Sequence, residues 1–509
     1  MFAFAIWDNF KKELFIARDR LGIKPLYYFQ QSGVIAFSSE VRSLLASELV
    51  PRKLNKSGLV DYLRYQTVHA PETIVQDVRM LMPGNYLLLN ENSLADKKNI
   101  SEKKYWQLSP GKEKETSSKS YQEVCDEVYT LLFKAVERRL IADVPFGAFL
   151  SGGIDSSAVV GLMSKVSSQP VKTFSVTFDE REFSEAKYAQ LVADKFQTEH
   201  HEIRLTSNDF VKELPLALKA TDHPSGDGPN TYIVSKVTKQ AGITMALSGL
   251  GGDELFAGYD IFKRSLKLEK YKWIGALPEF AKKIPAKLLQ TFKPGVPSDK
   301  IAELLSLPDF KLESTYPLSR QVLLEDKIMS LLNFSELPAN VVSQTLRENH
   351  LEKFNSLLSK VSVAEITTYM QNVLLRDTDQ MSMASALEVR VPFLDYELVE
   401  FVLSISDEYK YPSTPKKLLI DALGDLLPPE IVNRPKMGFT LPWKHWLKNE
   451  LKSFCENRIE SLSNRKIFNK QEILNLWKAF LNDDSRITWS RIWYLVVLED
   501  WLLENKIED

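Results

Sequence analysis

Apolar and polar residues alternate through most of the first hundred positions. The runs FAFAIW (2–7), ELFIARD (13–19), PLYYF (25–29), GVIAFSS (33–39) and GNYLLLN (84–90) have a period of two and are separated by turn residues, which predicts an antiparallel sheet. The pattern stops at SPGKEKETSSKS (109–120), a stretch almost without apolar content that reads as an exposed linker. The boundary expected there separates a unit over 1–108 from a second over 121–509. Val124, Val128, Leu131, Leu132, Ala135 and Val136 then recur at helical spacing. Apolar runs at 145–150, 171–178, 200–205 and 243–247 follow, separated by helix-periodic stretches such as 184–197 and 230–241. Strand followed by helix, repeated, predicts an α/β fold: a doubly wound parallel sheet with helices on both faces. From about residue 260 the pattern is nearly all helical. It ends on a segment whose Trp489, Trp493 and Trp501 are expected to pack in a core rather than form an aromatic binding site. No internal repeat interrupts this order.

Composition narrows the function classes. The 509 residues are too many for one ordinary core and suggest two or three domains. Lys plus Arg (65) nearly cancels Asp plus Glu (67), so no basic footprint for nucleic acid or for an anionic membrane exists at the level of the whole chain. The longest candidate for a membrane segment, WYLVVL (493–498), is far too short to span a bilayer. Two cysteines, Cys125 and Cys455, make neither a disulfide framework nor a zinc site, and the expected setting is the cytoplasm. His200, His201 and His223 lack metal-ligand spacing and read as structural.

Chemistry concentrates in two loops. In FLSGGIDSS (149–157) an apolar strand runs into a glycine pair, hydroxyl residues flank an aspartate, and an apolar helix follows. Free N–H groups and the helix dipole at such a turn favour an anion, and glycines let phosphate oxygens approach the backbone. The lysine of the common GxxxxGK[ST] phosphate loop is absent, and Asp155, a hard oxygen ligand, suits Mg2+ instead. The bland alternative is a Gly–Gly turn with a capping serine. ALSGLGGDELFAGY (246–259) repeats the arrangement with Ser248, three glycines, Asp253 and Glu254. Loops at the carboxyl ends of neighbouring parallel strands bind nucleotides in doubly wound sheets, and Asp155 and Asp253 could share one Mg2+ there. Its bland alternative is a solvated acidic turn.

SGGIDSS resembles the pyrophosphate loop of the N-type ATP pyrophosphatases. With SGLGGDELFAGY (248–259), RDTDQMSMASALEVRVPFLD (376–395) and RPKMGFTLPWKHWL (434–447), the chain resembles the glutamine-hydrolysing asparagine synthetase family. RDRLGIKPLYY (18–28), FSSEVRSL (37–44) and LMPGNYLLL (81–89) resemble the later part of that family's N-terminal glutaminase domain, an α+β (Ntn-type) fold. The resemblance implies that ATP converts aspartate to an aspartyl-AMP ester with release of pyrophosphate, and that ammonia, drawn from glutamine, then displaces AMP. By motif, Ser151, Gly152, Gly153, Asp155, Ser156 and Ser157 would hold pyrophosphate, Leu150 and Val176 would line the adenine site, and Ser248 and Gly249 would contact the nucleotide. Asp155 and Asp253 would bind Mg2+, and Lys436 would neutralise charge developing on phosphate. Glu388 and Arg390 of LEVRVPF read either as a helix-end ion pair or as catalytic residues. ATP, aspartate and ammonia or glutamine are the expected small-molecule partners, with no nucleic acid and no membrane; a homodimer is compatible with all of this.

Two features depart from the family. Its second loop usually carries an acidic residue where this chain has Leu250, and leucine can neither accept a proton nor orient ammonium. Another base, with Glu388 the candidate, would then act, or the acceptor is a sugar acid or peptide carboxylate. The family's N-terminal nucleophilic cysteine and its RGPD-like and NGE-like segments also have no counterpart, so the expectation is ammonia-dependent synthesis without glutamine hydrolysis. MFAFAIWD resembles the interior of a glutaminase domain, which predicts a truncated domain with an unpaired sheet edge, as in a fragment or incomplete gene model. A non-catalytic nucleotide-binding remnant is the remaining alternative, against which the intact SGGIDSS, GGDE and RPK elements speak.

Overall fold

The computed structural model describes residues 1–31, 33–90, 102–111, 116, 118–178, 185–278, 281–282, 284, 295–411, 414–434 and 442–509. Strands β1 (Ala3–Asp8), β2 (Glu13–Arg18), β6 (Asn85–Leu89) and β7 (Lys103–Lys104) form an antiparallel sheet in the order β1-β2-β6-β7. A second antiparallel sheet has the order β4-β3-β5, from β3 (Tyr27–Gln31), β4 (Val34–Ser38) and β5 (Val78–Met80). The alternating runs therefore build two small sheets rather than one. Ile16 of β2, Leu87 and Leu89 of β6 and Tyr28 of β3 meet in a shared core, so the sheets pack face to face. Asp8 turns the chain between β1 and β2 by accepting from the amides of Phe10 and Lys11 at 2.9 and 3.0 Å. β1 lies at the sheet edge and exposes Phe4, Ile6 and Trp7.

The helix Tyr121–Arg139 follows, opened by a reciprocal capping box between Ser120, the last residue of the linker stretch, and Glu123 in the first turn. It leads into a five-stranded sheet of order β10-β9-β8-β11-β12: β8 (Phe146–Phe149), β9 (Lys172–Phe178), β10 (Glu199–Leu205), β11 (Met245–Leu247) and β12 (Glu388–Arg390). Every neighbouring pair is parallel. The doubly wound α/β expectation holds, and the sheet gains an edge strand inside the region read as all helical. β12 has three residues, too few for a period-two signal, and it follows the helix Leu375–Met383 through Ala386, whose φ of +52° marks the turn. That helix continues a π-helical stretch, Ile366–Leu374.

The antiparallel sheets do not stand alone. Tyr27, Phe29 and Val41 share one apolar core with Trp443, Trp446, Trp493 and Trp501 from the C-terminal helices. Trp443 and Trp493 lie 4.6 Å apart between ring centroids, which makes the tryptophan-rich end a packing element. The RDTDQMS segment ties the two halves together: Arg376 donates to the Val68 carbonyl at 3.0 Å and to Thr67, and Asp379 pairs with Lys24 at 2.8 Å. Among the described residues no helix is long and apolar enough to cross a membrane.

Candidate active site

β8 and β11 are adjacent and parallel, so the segments leaving their carboxyl ends emerge side by side. After β8 the chain turns through Ser151, Gly152 and Gly153 into the helix Ile154–Val166, whose N-cap is Gly153. Among the described residues no side chain caps this helix, which leaves its first N–H groups as anion donors. Gly152 has a φ of +69°, and a Cβ there would lie 2.6 Å from the Ala189 amide nitrogen, so both its conformation and its neighbour require glycine. Ser151 and Ser156 lock the turn: their hydroxyls lie 3.2 Å apart, and Ser156 Oγ also donates to the Gly153 carbonyl at 3.2 Å. The fully buried Ser157 hydroxyl has no hydrogen-bond partner among the described residues.

The second loop nests on the first. A Cβ on Gly249 would lie 2.8 Å from the Ser156 amide, and one on Gly252 would lie 2.4 Å from the Asp155 carboxyl carbon, so two backbones meet where side chains are excluded. Ser248 is held by its amide, which donates to the Arg390 carbonyl at 2.9 Å. Leu250, at the position the family usually fills with an acid, packs against the main apolar core. Glu254 is buried, accepts from the Tyr259 hydroxyl at 2.7 Å, and burial pushes its pKa up to about 7.

Asp155 and Asp253 converge, and what they converge on is an ammonium. Lys416 Nζ lies 2.5 Å from Asp155 and 2.7 Å from Asp253, with the lysine side chain 9% exposed. Burial opposes its charge, but the two carboxylates outweigh that and raise its pKa above the ordinary lysine value. Lys416 has a φ of +60° and precedes the helix Lys417–Leu423. A cation at a helix N-terminus opposes the dipole, so its placement requires compensating anions, which Asp155 and Asp253 supply. Sequence reading missed this residue because the only local signal is a Lys–Lys pair before an apolar helix.

The remaining predicted residues are distributed differently. Leu150 is buried at the end of β8, its amide bonded to the Phe174 carbonyl at 2.8 Å, and Val176 lies further along the neighbouring β9, opposite Ile203 of β10. Glu388 and Arg390 are not at a helix end: they sit two apart on β12 and pair at 2.8 Å. Arg390 also donates to the carbonyls of Arg139 and Ile141, at 2.9 and 2.8 Å. Both side chains line a cavity of about 400 Å³ together with Arg20, Arg138 and Arg139, between the antiparallel sheets and the sheet edge rather than in the glycine loops. Lys436 lies outside the described residues. Arg434, two positions before it, pairs with Glu185 at 2.6 Å beside the first loop.

Whole-chain comparison decides the family. The family model for asparagine synthase matches residues 127–503, and that for a glutamine amidotransferase domain matches residues 1–106. The chain belongs to the asparagine synthase family. It is 31% identical to asparagine synthetase (glutamine-hydrolyzing) 1 of Bacillus subtilis, over 98% of this chain and 78% of that protein. Asparagine synthetase (glutamine-hydrolyzing) 3 of the same organism is 27% identical over 92% of this chain and 72% of its own length. Amidase chyE of Penicillium rubens is also 27% identical, over 87% and 70%. Membership makes the chain a carbon–nitrogen ligase of a family that uses ATP and acts on small molecules.

Proposed function

We propose that this asparagine synthase family member joins the side-chain carboxylate of aspartate to the α-phosphate of ATP, releasing pyrophosphate, and that ammonia then displaces AMP to give asparagine. A carboxylate is a poor electrophile, and the acyl phosphate ester removes its negative charge and supplies a leaving group. The observation that carries this reading is the nesting of two glycine loops at the ends of adjacent parallel strands with two aspartates turned onto one cation. In this account the Ser151–Ser157 loop holds the departing pyrophosphate, Leu150 and Val176 flank the adenine, and Ser248 and Gly249 meet the nucleotide. Asp155 and Asp253 offer two hard carboxylates on one point, a donor set that would suit Mg2+. Bound there, Mg2+ would offset phosphate charge. Lys416, held on the same two carboxylates, would stabilise phosphate charge beside them, and Lys436 would add a second cation.

Ammonia needs a proton acceptor as it becomes an amide, and the position that Leu250 fills cannot supply one. Glu388, paired with Arg390 at the cavity between the antiparallel sheets and the sheet edge, would be the base for ammonia that reaches the ester from that side. Cys125 and Cys455 are both buried and neither is offered as a glutaminase nucleophile, and ammonia is the attacking nucleophile in this account.

Leu250 favours a second reading, in which the same chemistry amidates a different carboxylate. Exchange of labelled pyrophosphate into ATP separates the two. Exchange that requires aspartate and vanishes in Asp155→Ala supports asparagine synthesis, exchange driven only by another acid supports the second reading, and no exchange with any acid removes both.

A further inference from the structure

Arg434 stands apart from the other cations near the glycine loops because its guanidinium is buried yet incompletely used. Its side chain is 8% exposed, and one terminal nitrogen, Nη2, donates to Glu185 Oε1 at 2.6 Å. The guanidinium carbon sits 4.6 Å from the ring centre of Tyr188, a stacking distance. The other terminal nitrogen, Nη1, is buried and has no hydrogen-bond partner among the described residues. Buried donors are almost always satisfied, and a guanidinium presents its donors in a rigid fork, so Nη1 is left as a donor for a ligand on a side chain whose Nη2 approaches the glycine loop.

The position fits. Nη2 lies 3.8 Å from where a Cβ on Gly153 would stand, and Gly153 is the N-cap of the uncapped helix Ile154–Val166. Tyr188, which stacks on the guanidinium, also closes over Gly152, whose added Cβ would lie 2.6 Å from the Tyr188 Cβ. Arg434 therefore reaches the loop from the side of the helix Ala186–Phe196, whereas Lys416 is engaged by Asp155 and Asp253. Glu185 keeps the guanidinium compensated and oriented when no anion is bound.

We infer that Arg434 is a phosphate-binding residue of the Ser151–Ser157 loop, its Nη1 donating to an oxygen of the pyrophosphate released from ATP, with Glu185 and Tyr188 as its positioning residues. The inference rests on the reading of that loop as a pyrophosphate site. Arginine suits the role because its fork matches phosphate oxygens and its charge-assisted hydrogen bonds are stronger than neutral ones.

Calorimetric titration of the full chain with inorganic pyrophosphate and Mg2+ tests it, with adenosine as a ligand that lacks phosphate. Arg434→Gln should weaken pyrophosphate binding by about ten- to hundred-fold and leave adenosine binding within about twofold, since one charge-assisted contact is lost. Arg434→Lys, which keeps the charge and loses the fork, should fall between the two. Removing Arg434 alone strands Glu185, so the paired variant E185Q/R434Q is the control for folding and should show the same selective loss. Equal pyrophosphate affinity in wild type and R434Q, or parallel loss of both ligands in the paired variant, overturns the inference. Wild-type protein that binds adenosine and no pyrophosphate overturns instead the reading of the loop on which it rests.

Discussion

Replacing Lys416 by methionine removes the ammonium and keeps most of the stem. With Nζ 2.5 and 2.7 Å from its partners, the two carboxylate oxygens lie no more than about 5 Å apart. Two like charges at that separation repel by about 3 kcal/mol at an effective dielectric near 20. Removing one partner of a buried ionic group costs about 3–5 kcal/mol, and the two figures agree in size because they describe the same uncompensated charge. K416M should therefore be about 3–5 kcal/mol less stable than wild type in urea unfolding with EDTA present. Millimolar Mg2+ should return much of that stability to K416M and add little to wild type, because a dication between Asp155 and Asp253 replaces the missing ammonium. The double variant K416M/D253N should also recover, since one carboxylate can be solvated where two cannot. Equal stability of wild type and K416M in EDTA would refute the electrostatic reasoning. So would an Mg2+ effect as large in wild type as in the variant.

Two further outcomes follow from the same geometry. Gly252→Ala puts a methyl group 2.4 Å from the Asp155 carboxyl carbon, so Asp155 must leave Lys416; stability should fall by about 1–3 kcal/mol and pyrophosphate exchange at least about tenfold, and unchanged exchange would show that Asp155 has room to move. Burial pushes the Asp377 pKa up to about 7 from an ordinary value of 3.8, against the opposing pull of Arg376. A raised carboxyl pKa gives stability that is complete below pH 3.8 and is lost as pH rises through about 7, an effect of up to about 4 kcal/mol. Asp377→Asn, which preserves an acceptor for Ser225, should flatten the stability profile across that window, and parallel profiles for the two proteins would contradict it.

The parts of the molecule legible in the sequence are those that carry a local physical signature. The alternation of FAFAIW and ELFIARD exists because β1 and β2 pair along their length in a thin sheet, and the turn residues between them mark the hairpin. Ser151–Ser157 and Ser248–Glu254 were legible because close backbone approach demands glycine, and glycine clusters next to strands are rare enough to notice. β5, β7 and β12 left no trace, since two or three residues cannot establish a period. Glu388 and Arg390 were placed by motif in a helical context, and only the pairing of β12 with β11 shows that they lie on a strand facing a separate cavity. Lys416 and Arg434 were missed for a different reason. Their partners Asp155, Asp253 and Glu185 are more than 160 residues away in sequence, and a charge becomes a site component only when the fold brings its counter-charge to it. Leu250 shows the reverse: the substitution is plain in the sequence, and only the fold shows that its partly buried side chain packs against the apolar core.

The central claim is that a carboxylate oxygen of aspartate becomes bonded to the α-phosphate of ATP. Aspartate labelled with 18O in its side-chain carboxylate, incubated with ATP, Mg2+ and ammonium, reports on that bond through the mass of the nucleotide product. The account predicts AMP carrying one 18O atom in equal amount to asparagine formed, with pyrophosphate unlabelled. AMP free of 18O, or ADP with labelled inorganic phosphate, would contradict it.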